Sequence, residues 1–236
     1  MKGCGKNYAA VLKGERDIDI LYLNDPALYP HQVRVAVQTS AICGTQIGEW
    51  NMSRGPDPYL PHCFGHEAVG EVLEVGDEVN GLSVGDRVIV SWMKASADYH
   101  APPKFRDESG AAVNFGQCCT FVTRGVFPGN RVFKIDESID TDSAALLGCA
   151  LLTAYAALKY VTSASERDKG EIAIVGAGGI GLSVAALCQA FGWSAVCVDT
   201  PEVTTYLETQ DLGFQFVSTV LARAQRVGKH PIVIVC

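Results

Sequence analysis

The sequence predicts a mixed α/β protein of two domains, a β-rich, barrel-like domain over residues 1–150 and part of a doubly wound parallel sheet over residues 151–236. Short β-type runs separated by Gly, Pro, Asn and Asp occupy residues 8 to about 135, a pattern typical of an all-β unit. After residue 170, apolar strands alternate with helical segments. Strands of continuous rather than alternating apolarity favour a parallel sheet buried on both faces.

The individual elements follow from these patterns in chain order. The β-type runs of the first domain are AAVLK, DILYL, VRVAVQTSAI, AVGEVLEV, RVIVSW, CTFVT and RVFKI. The segment DTDS at residues 140–143 supplies helix N-cap residues, so a helix is predicted over residues 144–160. In the second domain the predicted strands are 171–175, 195–198, 214–217 and 232–235, and the predicted helices are 179–191, 203–211 and 219–227.

Composition and charge exclude several classes of function. Lys and Arg number 19 against 26 Asp and Glu, a net charge of −7 without any basic block, which argues against a nucleic-acid partner. The most apolar stretch, residues 144–158, is too short for a membrane span, and the N-terminus lacks an apolar signal core. We therefore expect a cytoplasmic protein without a membrane partner. The nine scattered cysteines are expected to be thiols or metal ligands.

A glycine-rich turn, GAGGIG, joins the first strand and first helix of the second domain. In this context the first glycine permits a tight turn, the second lets the backbone approach a pyrophosphate, and the third lets helix and strand pack closely. An acidic residue ends the next strand, where a carboxylate binds ribose hydroxyls and repels a 2′-phosphate. The turn predicts binding of NAD in preference to NADP. The predicted cofactor-binding residues here are Gly176, Gly178, Gly179, Ile180, Gly181 and Asp199.

Two cysteines and a histidine form a candidate metal site in the first domain. Cys43 lies in ICGTQ, His66 in GHE and Cys149 in GCA. Two thiolates and one imidazole suit zinc, and three protein ligands leave a fourth position open, as catalysis requires. Taken singly each residue has another interpretation: Cys149 as a small buried helix residue, His66 as a hydrogen-bonded turn histidine.

The segment GHEAVGEVLEVGDEV resembles the signature of the zinc-dependent medium-chain dehydrogenase/reductase family, the zinc alcohol dehydrogenases. The signature residues matched are Gly65, His66, Glu67, Gly70, Gly76 and Val79. The CGT segment at Cys43 precedes this signature, and Gly148-Cys149 followed by Thr153 resembles the segment of the third zinc ligand. The glycine-rich turn completes the set in the order of the family.

The resemblance implies a GroES-like barrel as the zinc-binding catalytic domain, residues 1–150, and a partial Rossmann domain that binds NAD, residues 151–236, with strand order 3-2-1-4. It implies that Cys43, His66 and Cys149 hold one catalytic zinc, with Glu67 beside it as an alternative or transient ligand. Thr45 would pass the alcohol proton outward, and Thr153 would join the cofactor-binding residues. The reaction implied is hydride transfer between an alcohol and NAD.

The sequence departs from the family in three places. Gln46 stands where many relatives carry an aspartate that hydrogen-bonds the histidine ligand, so the metal receives less charge support. The insert at residues 92–117 contains no cysteine, so no structural zinc is expected; the insert, which includes Tyr99 and His100, is interpreted as a surface lobe near an interface or the active-site mouth, or as a solvated loop. Relatives also continue through a second half of the nucleotide-binding sheet.

Several functional interpretations remain open from the sequence. The leading one is a zinc- and NAD-dependent dehydrogenase of a small-molecule alcohol, with a polyol, sugar or cyclitol among the candidate substrates, and with a homo-oligomer possible. A zinc-free, NADPH-dependent enone or quinone reductase of the same superfamily is the second. The third is a non-catalytic remnant that binds zinc or nucleotide, because residues 171–236 supply only four strands of the expected sheet.

Overall fold

A computed structural model describes residues 5–96, 101–163, 171–218 and 232–236. The chain divides into two units, Met1–Cys149 and Ala150–Cys236. No single helix in these described ranges is both long and apolar enough to cross a membrane, although the bent pair Thr141–Gly148 and Ala150–Ser163 meets the criteria of length and composition when taken together.

The first unit is built mainly from antiparallel strands. One sheet has the order β2-β1-β4, a larger one has the order β10-β6-β5-β3-β9, and β7 pairs with β8. The elements are β1 (Asn7–Gly14), β2 (Asp17–Leu23), β3 (Gln32–Ser40), α1 (Gly44–Trp50), β4 (His62–Cys63), β5 (Glu67–Val75), β6 (Arg87–Ser91), β7 (Phe105–Arg106), β8 (Ala112–Val113), β9 (Arg124–Pro128), β10 (Val132–Lys134) and α2 (Thr141–Ala145). The predicted β-rich first domain is thus confirmed.

Alternation of side chains places one face of each strand in the core of this unit. In β3 the side chains of Val33 and Val35 are fully buried, as expected for a period of two residues. Three phenylalanines fill the centre: the ring of Phe115 stacks on that of Phe105 at 4.3 Å and lies 6.0 Å from that of Phe127. Phe105 and Phe115 belong to the 92–117 insert, so its interpretation as a solvated loop is wrong. Tyr99 and His100 of the insert lie outside the described residues.

The strand predicted at CTFVT is absent, and the strand in this region is β9, which begins at Arg124. The backbone of the predicted strand is instead shared among several neighbours. The N–H of Phe121 donates to Phe64 O, its carbonyl accepts from Ala10 N–H, and the carbonyl of Thr123 accepts from Val37 N–H. High β propensity favours a strand here, but the backbone pairs with several segments rather than with one, so no regular ladder forms.

The helix predicted over residues 144–160 is interrupted. Asp140 caps α2 by accepting a hydrogen bond from the N–H of Ser143, as its sequence predicts. A 3-10 turn, Leu146–Gly148, follows, and a new helix starts only at Ala150. Apolar composition gave no sign of this break at Cys149, whose backbone φ of −146° lies outside the helical region.

The second unit is a parallel sheet with helices, as predicted. Its strand order is β13-β12-β11-β14, the predicted 3-2-1-4. The elements are α3 (Ala150–Ser163), β11 (Glu171–Val175), α4 (Gly179–Ala190), β12 (Ser194–Asp199), α5 (Pro201–Glu208), β13 (Gln215–Ser218) and β14 (Ile232–Val235). The central residues of β11, Ile172 to Ile174, are all fully buried, which explains the continuous apolarity of this strand. The helix predicted at 219–227 lies outside the described residues.

Candidate metal centre and nucleotide turn

Three separate segments of the first unit bring Cys43, His66 and Cys149 together. Cys43 is the N-cap of α1, shortly after β3 ends; His66 directly precedes β5; Cys149 follows the 3-10 turn. One ligand atom from each, the two Sγ atoms and a ring nitrogen, lies within 4.8 Å of the others. Within the described ranges no second cluster of this kind occurs.

The break in the predicted helix positions Cys149. Gly148 packs so closely on the barrel that a Cβ atom there would lie 2.3 Å from Val90 O and 2.7 Å from the Cβ of Glu67. The Ser91 hydroxyl also donates to Gly148 O at 2.6 Å. A straight helix through Gly148 cannot satisfy these contacts, so the chain turns at Cys149 and carries its thiol to the other two ligands.

The His66 ring has one nitrogen hydrogen-bonded and the other without a partner. Its Nδ1 lies 2.7 Å from Gln46 Nε2, whereas its Nε2 is buried and has no hydrogen-bond partner. Burial also lowers the pKa of the His66 imidazole below its ordinary value, which favours the neutral form that metals bind. A buried nitrogen without a partner beside two thiols is the arrangement expected of a metal site, because buried polar atoms otherwise find partners. The donor set therefore fits zinc.

Four other thiols among the described residues are held in the protonated form by burial. Burial raises the pKa of the Cys63 thiol to about 12 and that of the Cys119 thiol well above its ordinary value. In the second unit burial raises the pKa of Cys188 and of Cys197 to about 11. Because the thiolate is the metal ligand, burial disfavours metal binding at these four cysteines.

The remaining two residues predicted for this site lie next to the cluster. Thr45, in the first turn of α1, has its hydroxyl 3.9 Å from Cys43 Sγ. Glu67 begins β5 and is 1% exposed, but its carboxylate is not part of the cluster of ligand atoms. Its role as an alternative ligand stays a prediction.

A cavity of about 480 Å³ opens beside His66. Its lining is mostly apolar, but it includes four polar residues that the sequence analysis did not single out: Glu49, Asp57, His62 and Asn114. The Nε2 of His62 lies 2.8 Å from Asp57 Oδ2, and its Nδ1 lies 2.8 Å from Cys63 O. Burial raises the pKa of the Glu49 carboxyl. Four polar side chains in a mostly apolar lining next to the candidate metal site are typical of a cavity that binds a small molecule.

In the second unit, the glycine-rich turn has the geometry that each of its glycines predicts. Gly176 has a φ of +100°, which side chains rarely adopt. A Cβ atom at Gly181 would lie 1.8 Å from Gly176 O, so this glycine is required for packing. A Cβ atom at Gly178 or Gly179 would meet nothing within 4 Å. These two glycines therefore border open space at the N-terminus of α4, where Ile180 follows and where phosphate groups bind in other proteins.

Asp199 ends β12 and reaches back to the glycine-rich turn. Its Oδ2 accepts from Ala177 N–H at 2.6 Å and its Oδ1 accepts from Thr200 N–H at 2.7 Å. Each carboxylate oxygen retains another lone pair, so these bonds leave capacity for ribose hydroxyls. Thr153, the remaining predicted cofactor residue, lies in α3 and is partly buried.

Comparison with known proteins identifies the family. Residues 29–137 match the alcohol dehydrogenase GroES-like domain. The L-threonine 3-dehydrogenase of Shewanella woodyi is 30% identical over 191 residues, which is 77% of this chain and 53% of that protein. The chain belongs to the medium-chain dehydrogenase/reductase family. The alcohol dehydrogenase of Geobacillus stearothermophilus is 28% identical over 220 residues, which is 87% of this chain and 60% of that enzyme.

Solved structures agree on the fold of this family member. An alcohol dehydrogenase from Thermus sp. ATN1 superposes with a TM-score of 0.75 at 21% identity, covering 97% of this chain and 70% of that chain. An alcohol dehydrogenase zinc-binding domain protein from Burkholderia ambifaria gives a TM-score of 0.81 at 20% identity, covering 98% and 70%. The predicted fold class, a GroES-like barrel with part of a Rossmann domain, is confirmed. The chain spans about half the length of the curated relatives it matches.

Proposed function

We propose that the protein to which this chain belongs is a zinc-dependent oxidoreductase that transfers hydride between an alcohol and NAD, with residues 1–150 as the zinc-binding domain and residues 151–236 as the NAD-binding domain. The observation that carries this proposal is the convergence of Cys43, His66 and Cys149 around the unpartnered Nε2 of His66. Membership of a family that includes alcohol and threonine dehydrogenases supports it.

Each residue of the site has its own role in the proposed reaction. A zinc ion held by Cys43, His66 and Cys149 supplies Lewis acidity that lowers the pKa of an alcohol. The partly buried Thr45 hydroxyl, which both donates and accepts hydrogen bonds, takes up the alcohol proton and passes it to solvent. Gln46 holds the His66 ring in orientation through Nδ1. We also propose that the buried carboxylate of Glu67, the residue after His66, serves as a transient ligand.

We propose that the cavity beside His66 selects a substrate with a second polar group next to the reacting hydroxyl. Asp57 and His62 are held as a pair, and Glu49 and Asn114 face the same cavity. These side chains offer both donors and acceptors of hydrogen bonds. The relatives' names agree with this choice: L-threonine and 2R,3R-butanediol each carry a polar group beside the reacting hydroxyl. Polyols and cyclitols have the same property.

The decisive experiment measures zinc per chain by elemental analysis, together with NADH binding by fluorescence titration. We expect about one zinc per chain in the wild type, none in Cys43→Ser, and unchanged zinc in Cys236→Ser, since Cys236 is an exposed cysteine outside the cluster. NADH binding is expected in all three proteins. Well-folded wild-type protein that takes up no zinc when zinc is supplied would overturn the metal mechanism and favour the zinc-free reductase.

Cofactor preference is tested at Asp199. We propose that its carboxylate disfavours the 2′-phosphate of NADPH, so NADH binds more tightly to the wild type. Asp199→Ser removes the charge and is expected to reduce the ratio of NADPH to NADH dissociation constants by at least about tenfold. Equal affinities for both cofactors in the wild type would contradict the assignment.

A further inference from the structure

We propose that Gln46 weakens the metal site by stabilising a tautomer of His66 that metal binding must abolish. The inference rests on the proposed function, in that it takes His66 Nε2 as a metal ligand. Gln46 is thus a positioning residue that shifts the binding equilibrium toward the metal-free protein. The metal is therefore bound reversibly.

The hydrogen bonds of Gln46 fix which end of its amide faces which partner. Gln46 is 5% exposed and lies in the first turn of α1, where its Oε1 accepts from the backbone N–H of Cys43 at 3.0 Å. A backbone N–H can only donate, so the oxygen end is committed to Cys43. The NH2 end then faces His66 Nδ1 at 2.7 Å and can only donate to it.

This arrangement determines the tautomer of the neutral histidine. A ring nitrogen that accepts a hydrogen bond carries no proton, so the proton of His66 resides on Nε2. Nε2 is the nitrogen without a hydrogen-bond partner, and it is therefore the one available to a metal. In the metal-free protein the nitrogen that would ligate is thus the protonated one.

Metal binding at Nε2 requires Gln46 to accept a hydrogen bond from His66 Nδ1 instead of donating one to it. The Nε2 lone pair must be free, which moves the proton to Nδ1. The Gln46 amide then faces two donors, the Nδ1–H of His66 and the N–H of Cys43, with a single acceptor atom. Turning the amide over satisfies the histidine but sets its NH2 group against the Cys43 N–H. In either orientation one N–H of this part-buried network loses its partner, which opposes binding.

A carboxylate of the same shape removes the conflict. In Gln46→Glu one oxygen can accept from Cys43 N–H and the other from His66 Nδ1–H, so the variant favours the tautomer that binds metal. Outer-sphere partners of a histidine ligand commonly change metal affinity by about 10- to 100-fold. We expect an increase of this size for zinc in Gln46→Glu.

Two measurements on the 236-residue chain test the proposal. The first is the nitrogen chemical shifts of the His66 imidazole by NMR in the metal-free protein, assigned by comparison with His66→Gln; the chain has five histidines, so the spectrum is tractable. The second is the zinc dissociation constant by competition with a chromophoric chelator. Gln210→Glu, an exposed glutamine of the second unit, is the control for the added charge.

The expected result is a proton on Nε2 in the wild type, a proton on Nδ1 in Gln46→Glu, and a 10- to 100-fold lower zinc dissociation constant in Gln46→Glu alone. A wild-type His66 already protonated on Nδ1 overturns the proposal, even if Gln46→Glu fails to fold. If Gln46→Glu binds zinc more tightly but the His66 tautomer does not change, the effect comes from the added charge, and the proposal is also overturned. Absence of zinc binding in both proteins refutes the proposed function itself, whereas tight wild-type binding refutes only the role of Gln46.

Discussion

The Ser91 hydroxyl donates a buried hydrogen bond of 2.6 Å to the carbonyl oxygen of Gly148, the residue before Cys149. The same hydroxyl oxygen accepts from the N–H of Met93 at 3.1 Å. Ser91 thus fastens the end of the 3-10 turn to the end of β6. The position of Cys149, one of the three proposed metal ligands, thus depends on a side chain that is not itself a candidate ligand.

Replacing Ser91 by alanine is expected to weaken both folding and zinc binding. The change leaves the buried Gly148 carbonyl without this donor, at a cost of about 1–3 kcal/mol in the free energy of unfolding. Urea denaturation of the metal-free protein and a zinc competition titration measure the two effects. Ser163→Ala is the control, because its hydroxyl donates to Tyr160 O at an exposed position. Wild-type zinc affinity in Ser91→Ala would show that Cys149 is positioned without this bond.

Gly148→Ala is expected to disrupt the metal centre more severely. Its Cβ atom would lie 2.3 Å from the backbone oxygen of Val90, and backbone cannot move aside cheaply. We expect a loss of at least about 2 kcal/mol in the free energy of unfolding, as for overpacked cores, together with loss of zinc. Gly44→Ala adds the same methyl group next to Cys43, where it meets nothing within 4 Å. If Gly44→Ala lost zinc as completely as Gly148→Ala, the packing argument would fail.

The sequence was sufficient for the elements whose residues carry a local signal. The glycine-rich turn, the parallel strands beside it and the N-cap at Asp140 were predicted because φ, burial and capping are properties of a few neighbouring residues. The cluster of Cys43, His66 and Cys149 was predicted through the family resemblance, since nothing local relates residues so far apart in the chain.

The features that the sequence did not predict depend on contacts between distant segments. The break at Cys149 arises from the packing of Gly148 on β6, and the surrounding residues are apolar in either conformation. The role of Phe105 and Phe115 in the core was hidden by the polar residues around them. The cavity beside His66 collects Glu49 from α1, His62 from β4 and Asn114 from the segment after β8, and no spacing rule relates residues of such separate elements.

The metal centre can be tested by measuring how fast its thiols are alkylated at different pH values, with and without zinc. With a pKa of about 12, Cys63 has a thiolate fraction of only about one in a thousand at pH 9, so its alkylation remains slow from pH 7 to pH 9. Among the cysteines that the structure describes, partly exposed Cys43 and exposed Cys236 are expected to react first with iodoacetamide. Zinc should protect Cys43 and leave Cys236 reactive, as mass spectrometry of the labelled peptides would show. Unprotected Cys43 in the presence of saturating zinc would exclude it as a ligand.

The two kinds of glycine in the nucleotide turn are expected to respond differently to the same substitution. In Gly178→Ala the added Cβ atom meets nothing within 4 Å and the φ of −81° suits any residue, so the free energy of unfolding should stay within about 0.5 kcal/mol of the wild type. The methyl group enters the space where a pyrophosphate must approach the backbone, so NADH affinity should fall by about tenfold or more.

In Gly181→Ala the added Cβ atom would lie 1.8 Å from Gly176 O, so α4 must move away from β11. The free energy of unfolding should fall by about 1–3 kcal/mol, as for other overpacked sites, and NADH binding should weaken as a consequence. Thermal denaturation and NADH fluorescence titration, made on both variants, separate the two effects. A stable Gly178→Ala with wild-type NADH affinity would contradict a phosphate site at this turn. The added methyl group would then occupy the proposed site without affecting the bound cofactor.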